Sequence, residues 1–136
     1  MKNIFFQIVF FIILSNSIAI YGQNYSINKN NLIGCWIDSY EENLVNSEIK
    51  IFRHCDYKVF PISRYRYSMV LNVDSTCSWL KLMPNDAHKE DYGVWRFDNK
   101  LNLIKIFDLN ENIIKVFEIA EIDNDIMRIY TKHNNL

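Results

Sequence analysis

The side chains able to do chemistry are few and loosely spaced. His54-Cys55-Asp56 and Asp86-Ala87-His88 each set an imidazole near a carboxylate, the parts of a proton-transfer pair or of half a metal site. Neither stands with a serine or cysteine nucleophile in a recognisable partner motif, and no two histidines have ligand spacing. Glu41 and Glu42 would make a carboxylate pair, but adjacent strand residues point to opposite faces. No catalytic residue, metal site or cofactor is assigned on these patterns, and the chain reads as non-enzymatic.

Two other sets suit binding better. Arg53, Arg64 and Arg66, with Lys58 and His88, would give an outward basic patch for an anionic ligand or an acidic protein surface. Trp36, Tyr65, Tyr67, Trp79, Trp95 and Phe97 would either line a ligand pocket or fill a barrel. The three cysteines, Cys35, Cys55 and Cys77, allow one disulfide and one thiol. A Cys55–Cys77 bridge is favoured, with Cys35 left as a buried thiol beside Trp36, since free cysteine behaves as a small hydrophobe.

The elements that must position these residues begin with an export signal over 1–22. Lys2 supplies the positive start, Ile4 to Leu14 is apolar except for Gln7, and Gly22 is the expected cleavage edge. The apolar run is shorter than the ~20 residues of a comfortable membrane span. An exported protein is expected, periplasmic or secreted, with no stable membrane insertion after cleavage. The net charge of −1 gives no electrostatic case for nucleic acid. Residues 23–31 are polar and Asn-rich, a flexible lead-in to one domain over 32–136.

That domain reads as all-β. Gly34 to Tyr40, Glu48 to Arg53, Tyr65 to Val73, Thr76 to Met83, Gly93 to Phe97, Leu101 to Phe107, Ile113 to Ile122 and Asp125 to Thr131 are strand-like runs. Ile49 and Ile51 alternate against Lys50. Tyr65, Tyr67, Met69, Leu71 and Val73 alternate against Arg64, Arg66, Ser68 and Asn72. Cys77, Trp79 and Met83 share a face, and Pro84 to Asp91 is a polar loop. About eight strands at ~10-residue spacing predict a sandwich or barrel, and short links favour sequential up-and-down pairing.

Leu32-Ile33-Gly34-Cys35-Trp36 resembles the Gly-x-Trp opening of lipocalins. Gly93-Val94-Trp95 with Leu101-Asn102-Leu103 is similar to a mid-chain pattern of small bacterial lipocalin-like (calycin-type) domains. Ile119-Ala120-Glu121-Ile122 with Asp125 to Ile129 resembles their closing hairpin. The resemblance implies an eight-stranded antiparallel barrel whose interior takes a small apolar ligand. It also implies that Trp36 packs across one barrel end beneath a basic residue, for which Arg128 is the nearest candidate. The Thr-Asp-x-Tyr turn of the family is missing. The function expected is binding of a small apolar or amphipathic ligand. The alternative is an exported interaction module or inhibitor that meets an unknown protein through its outer surface.

Overall fold

The computed structural model describes residues 26–131. The export signal expected over 1–22 lies outside the described residues. Eight strands form: β1 (Gly34–Asp38), β2 (Ile49–His54), β3 (Ser68–Leu71), β4 (Thr76–Leu82), β5 (His88–Asp98), β6 (Leu103–Phe107), β7 (Ile113–Asp123) and β8 (Ile126–Tyr130). They close into an antiparallel barrel in the order β1-β2-β8-β7-β6-β5-β4-β3, with β3 pairing back onto β1. Closure leaves no exposed sheet edge.

The run β3 to β8 is up-and-down, each strand beside the next in sequence. The β1–β2 hairpin enters in reversed order, so β2 lies beside β8 and β1 beside β3. Residues 55–67 must therefore travel from the end of β2 past β1 to the start of β3. Such a crossing has no counterpart among the short links elsewhere. β5 begins at His88 rather than Gly93, so the polar loop expected over 84–91 shrinks to a tight turn closed by Met83 N–H donating to the Ala87 carbonyl.

Alternation sorts the side chains. Trp36, Phe52, Tyr67, Met69, Leu71, Cys77, Trp79, Trp95, Ile104, Ile106, Phe117, Met127 and Ile129 make a buried interior. In β2 the sense is opposite to the expected one. Phe52 is wholly buried and takes Lys50 and His54 to the inner face with it, while Ile49 and Ile51 are only partly buried. Val73 falls beyond the end of β3 and is exposed.

Two glycines make room for inward tryptophans two residues further on. Gly34 has φ +137°, and a Cβ there would meet the His54 ring at 3.0 Å. A Cβ on Gly93 would lie 1.9 Å from the Phe107 carbonyl oxygen and 3.2 Å from the Trp79 ring. No side chain fits there without moving backbone.

One end of the barrel is shut by a short 3₁₀ helix, Lys29–Leu32, capped by the Asn28 side chain accepting from Asn30 N–H. Leu32 and Ile27 are buried in the core. Within the described part of the lead-in, Ile27 is the residue that reaches the core. Leu32 carbonyl accepts from Trp36 Nε1 at 2.9 Å, and the Lys29 ammonium sits 4.9 Å from the Trp95 ring centre. The basic cover expected from Arg128 is a correction. Arg128 lies between inward Met127 and Ile129, so it faces outward and pairs with Glu121 at 2.8 Å. His54 stacks on Trp36 instead, with ring centres 4.1 Å apart.

The disulfide is a second correction. Cys35 and Cys55 are bridged, with Cα atoms 5.4 Å apart, and Cys77 is the buried free thiol. The expected Cys55–Cys77 pairing is excluded by parity. Cys77 is on the inner face, two residues from Trp79, whereas Cys35 adjoins inward Trp36 and so points outward toward the crossing segment. Burial pushes the Cys77 thiol up to about 11, which keeps it protonated and inert.

Candidate functional site

The end opposite the 3₁₀ helix is the mouth. β1, β4, β6 and β8 finish there, and β2, β3, β5 and β7 begin there. Tyr65, Tyr67, Trp79, Leu109, Ile114 and Lys115 are among the residues around a cleft of about 550 Å³. A second space of about 250 Å³ lies beside it, lined by Asp38, Lys50, Phe52, Tyr67, Lys115, Phe117 and Ile129. Tyr67 and Lys115 border both spaces. The larger volume lies within the ~300–1,000 Å³ range of small-molecule sites.

Apolar walls come from the same alternation that builds the core. Phe52 meets Tyr67 and Phe117 edge-on at 6.2 and 6.1 Å between ring centres, so the floor is a rigid aromatic cluster. Tyr65 donates its hydroxyl to the Leu80 carbonyl at 2.8 Å and is fixed at the rim.

The polar groups are the unusual part. Tyr67 is only 8% exposed, yet its hydroxyl has no hydrogen-bond partner among the described residues. Asp38 Oδ1 is buried and equally unpartnered. Burial raises the Asp38 carboxyl above the ordinary range, against the opposing pull of Lys50 and Arg66. The Lys115 ammonium lies 3.9 Å from the Tyr67 ring centre. Burial lowers its pKa first, and the charge of Lys50 lowers it further. Neither lysine forms an ion pair among the described residues. Unpaired buried polar atoms are costly and rare; of the three side-chain atoms of this kind among the described residues, two belong to residues lining this space and the third, Asn102 Oδ1, lies at the closed end.

The aromatic residues named from sequence divide between the ends. Tyr65, Tyr67 and Trp79 border the cleft. Trp36 and Trp95 are wholly buried at the closed end, where Trp95 Nε1 donates to the Asn72 carbonyl, and Phe97 packs against the same core. The basic set also divides. Arg53 makes a two-pronged contact with Glu42, at 3.0 Å from Nε and 2.7 Å from Nη2, and Lys58 adds a third contact at 3.2 Å. Hydrogen bonds from Arg53, then Ser39 and Lys58, hold the Glu42 carboxyl down to about 2. Arg66 is buried, bridging Glu41, the Asp38 and Pro61 carbonyls and the face of Tyr40. Far from pointing to solvent, it anchors the crossing segment. Arg64 pairs with Asp86 at the surface, and His88 Nε2 contacts the Arg64 carbonyl. His88 also meets Tyr65 edge-on.

Cys55 of the His54-Cys55-Asp56 group is in the disulfide, and His54 is packed on Trp36. Among the described residues no cluster of His, Cys, Asp and Glu could hold a metal ion, and no helix is long and apolar enough to cross a membrane.

No protein-family model, curated protein or solved structure matches this chain.

What stands is therefore an eight-stranded closed antiparallel barrel with a chemically mixed mouth. Sequence reasoning missed Asp38, Lys50 and Lys115. A single lysine framed by Ile49 and Ile51, or by Ile114 and Val116, is the signal that was there to read.

Proposed function

We propose that this is a non-enzymatic, exported, lipocalin-like carrier that takes a small amphipathic molecule at the barrel mouth. The observation that carries the reading is the space beside the cleft, where, among the described residues, the Tyr67 hydroxyl and Asp38 Oδ1 are buried with no partner and Lys50 and Lys115 form no ion pair. An apolar chain would meet the aromatic and aliphatic walls of the cleft, and a polar group would lie toward Lys50 and Lys115. Export suits a chain with a Cys35–Cys55 disulfide.

Isothermal calorimetry with dodecanol tests it. Saturable binding is expected, abolished by Asn110→Trp at the cleft rim and kept by Val73→Trp at the opposite end. Absence of saturable heat, or equal binding by the blocked variant, would overturn the reading.

The alternative, an interaction module, is favoured by Leu44, Val45, Val59 and Ile62, which are nearly or fully exposed on the β1–β2 loop and the crossing segment. Val59→Asp with Ile62→Asp would leave dodecanol binding intact while removing any protein partner held there.

A further inference from the structure

We propose that the outer wall of β5 and β6 docks an extended acidic segment of a partner protein, with its carboxylates on Arg96, Lys105 and Lys100. The groove that carries this shares no lining residue with either space at the mouth, and the proposal does not rest on the carrier reading.

Arg96 follows wholly buried Trp95, and Lys105 stands between wholly buried Ile104 and Ile106, so both side chains face outward. The register sets them directly opposite one another on neighbouring strands. Like charges so placed destabilise a sheet. On its other side Lys105 faces Val116, which offers no charge. Neither Lys100 nor Lys105 forms an ion pair among the described residues. Arg53, Arg64, Arg66 and Arg128 each grip a carboxylate directly. Arg96 has only Glu111, 3.8 Å away, with both side chains exposed. Positive charge is thus left over on this wall of a chain whose net charge is −1.

The wall also has shape. Arg96, Asp98, Lys100, Lys105 and Phe107 are among the residues around a groove of about 400 Å³. Phe107 is buried but outside the core cluster, and the Arg96 guanidinium lies 4.6 Å from its ring centre. That stacking holds the guanidinium before a partner arrives and leaves its edge N–H groups for carboxylates.

The kind of partner follows from three features. Outward residues recur at every second position of a strand, so an extended segment with acids at alternate positions matches the wall in period. Asp98 brings a carboxyl into the groove, where its Oδ1 accepts from the Lys100 and Leu101 N–H groups. A doubly charged phosphate is repelled there more than single carboxylates are. The barrel is closed, so a partner cannot add a strand to an edge and is read through side chains.

Fluorescence anisotropy with labelled Asp-Val-Asp-Val-Asp and Asn-Val-Asn-Val-Asn peptides at low salt tests the proposal. The acidic peptide is expected to bind at least ~10-fold more tightly, and added salt weakens it. In Arg96→Gln/Lys105→Gln the two peptides bind alike. Arg64→Gln/Lys89→Gln removes the same charge elsewhere on the surface and keeps the preference. Lys105→Gln alone leaves Arg96 on Phe107, so it melts at or above the temperature of the natural protein and still loses ~3-fold or more in affinity for the acidic peptide. Equal binding of both peptides by the natural protein, a preference that survives Arg96→Gln/Lys105→Gln, or an equal loss in Arg64→Gln/Lys89→Gln overturns the assignment. Inorganic phosphate binding as tightly as the acidic peptide also overturns it, in favour of a small oxyanion site. Dodecanol binding at the mouth is the same in all these variants, so the carrier reading stands or falls separately.

Discussion

At the closed end Trp36 and Trp95 lie wholly buried with both indole N–H groups donating to carbonyls, whereas at the mouth Tyr67 lies almost as deep with its hydroxyl unpaired. The same period-two alternation builds both ends. The difference is in what faces inward. At one end it is tryptophan, leucine and isoleucine under a helical cap; at the other it is tyrosine, lysine and aspartate under open space. At the closed end one buried acceptor, Asn102 Oδ1, is left without a partner among the described residues, whereas the mouth leaves a donor, an acceptor and two cations there.

Four measurements break or sharpen this contrast. The largest effect is expected from Trp95→Ala at the closed end, which loses about 3–5 kcal/mol of unfolding free energy in urea titration. A loss as small as that of a surface substitution would show that the closed end is not the stabilising half. Next, Cys35→Ser with Cys55→Ser removes a link between residues 20 apart and costs about 3 kcal/mol by the same titration. Cys77→Ala in the same assay leaves the bridge intact, and free-thiol labelling of the unfolded chain finds one thiol fewer.

The third concerns acid. The Glu42 carboxyl is held at about 2 against an ordinary 4.5, so its contribution is complete above pH 4.5 and is lost as pH falls toward 2. Thermal melts between pH 7 and pH 2 should show a decline that Glu42→Gln flattens. The effect is local to the β1–β2 loop and the part of the crossing segment at Lys58, and hydrogen exchange should rise there before it rises around Trp36. Smallest is Tyr67→Phe, which deletes a buried hydroxyl without a partner. It is expected to leave stability unchanged or raise it by about 1 kcal/mol. A clear loss of stability would show that the hydroxyl has a structural partner and would end the functional contrast between the two ends.

Much of this was legible in the residues. The alternation from Tyr65 to Leu71 does place Tyr67, Met69 and Leu71 inside, and the Gly-x-Trp pairs at Gly34 and Gly93 do mark inward tryptophans. The barrel followed from short strands at even spacing. What escaped had physical causes. Ile49 and Ile51 are more apolar than Lys50, so local hydropathy chose the wrong face, and one large ring, Phe52, outweighs two isoleucines in setting it. The cysteine pairing needed only the parity of Cys35 against Trp36 and of Cys77 against Trp79. The inserted hairpin was harder, since its mark is a link over 55–67, interrupted by Pro61, that is too long for a hairpin turn. Arg66 looked like surface charge because two of its partners, Glu41 and the Asp38 carbonyl, come from a distant segment.

The Cys35–Cys55 bridge encloses the whole β1–β2 hairpin in a covalent ring, and Leu44 and Val45 are exposed on its tip. A protease that nicks the chain between them leaves two fragments still joined through sulfur and still held in the sheet. A cut at Val59 or Ile62 falls outside the ring and severs the molecule. In a compartment rich in peptidases, a cut in the exposed β1–β2 loop thereby costs less than one in the crossing segment.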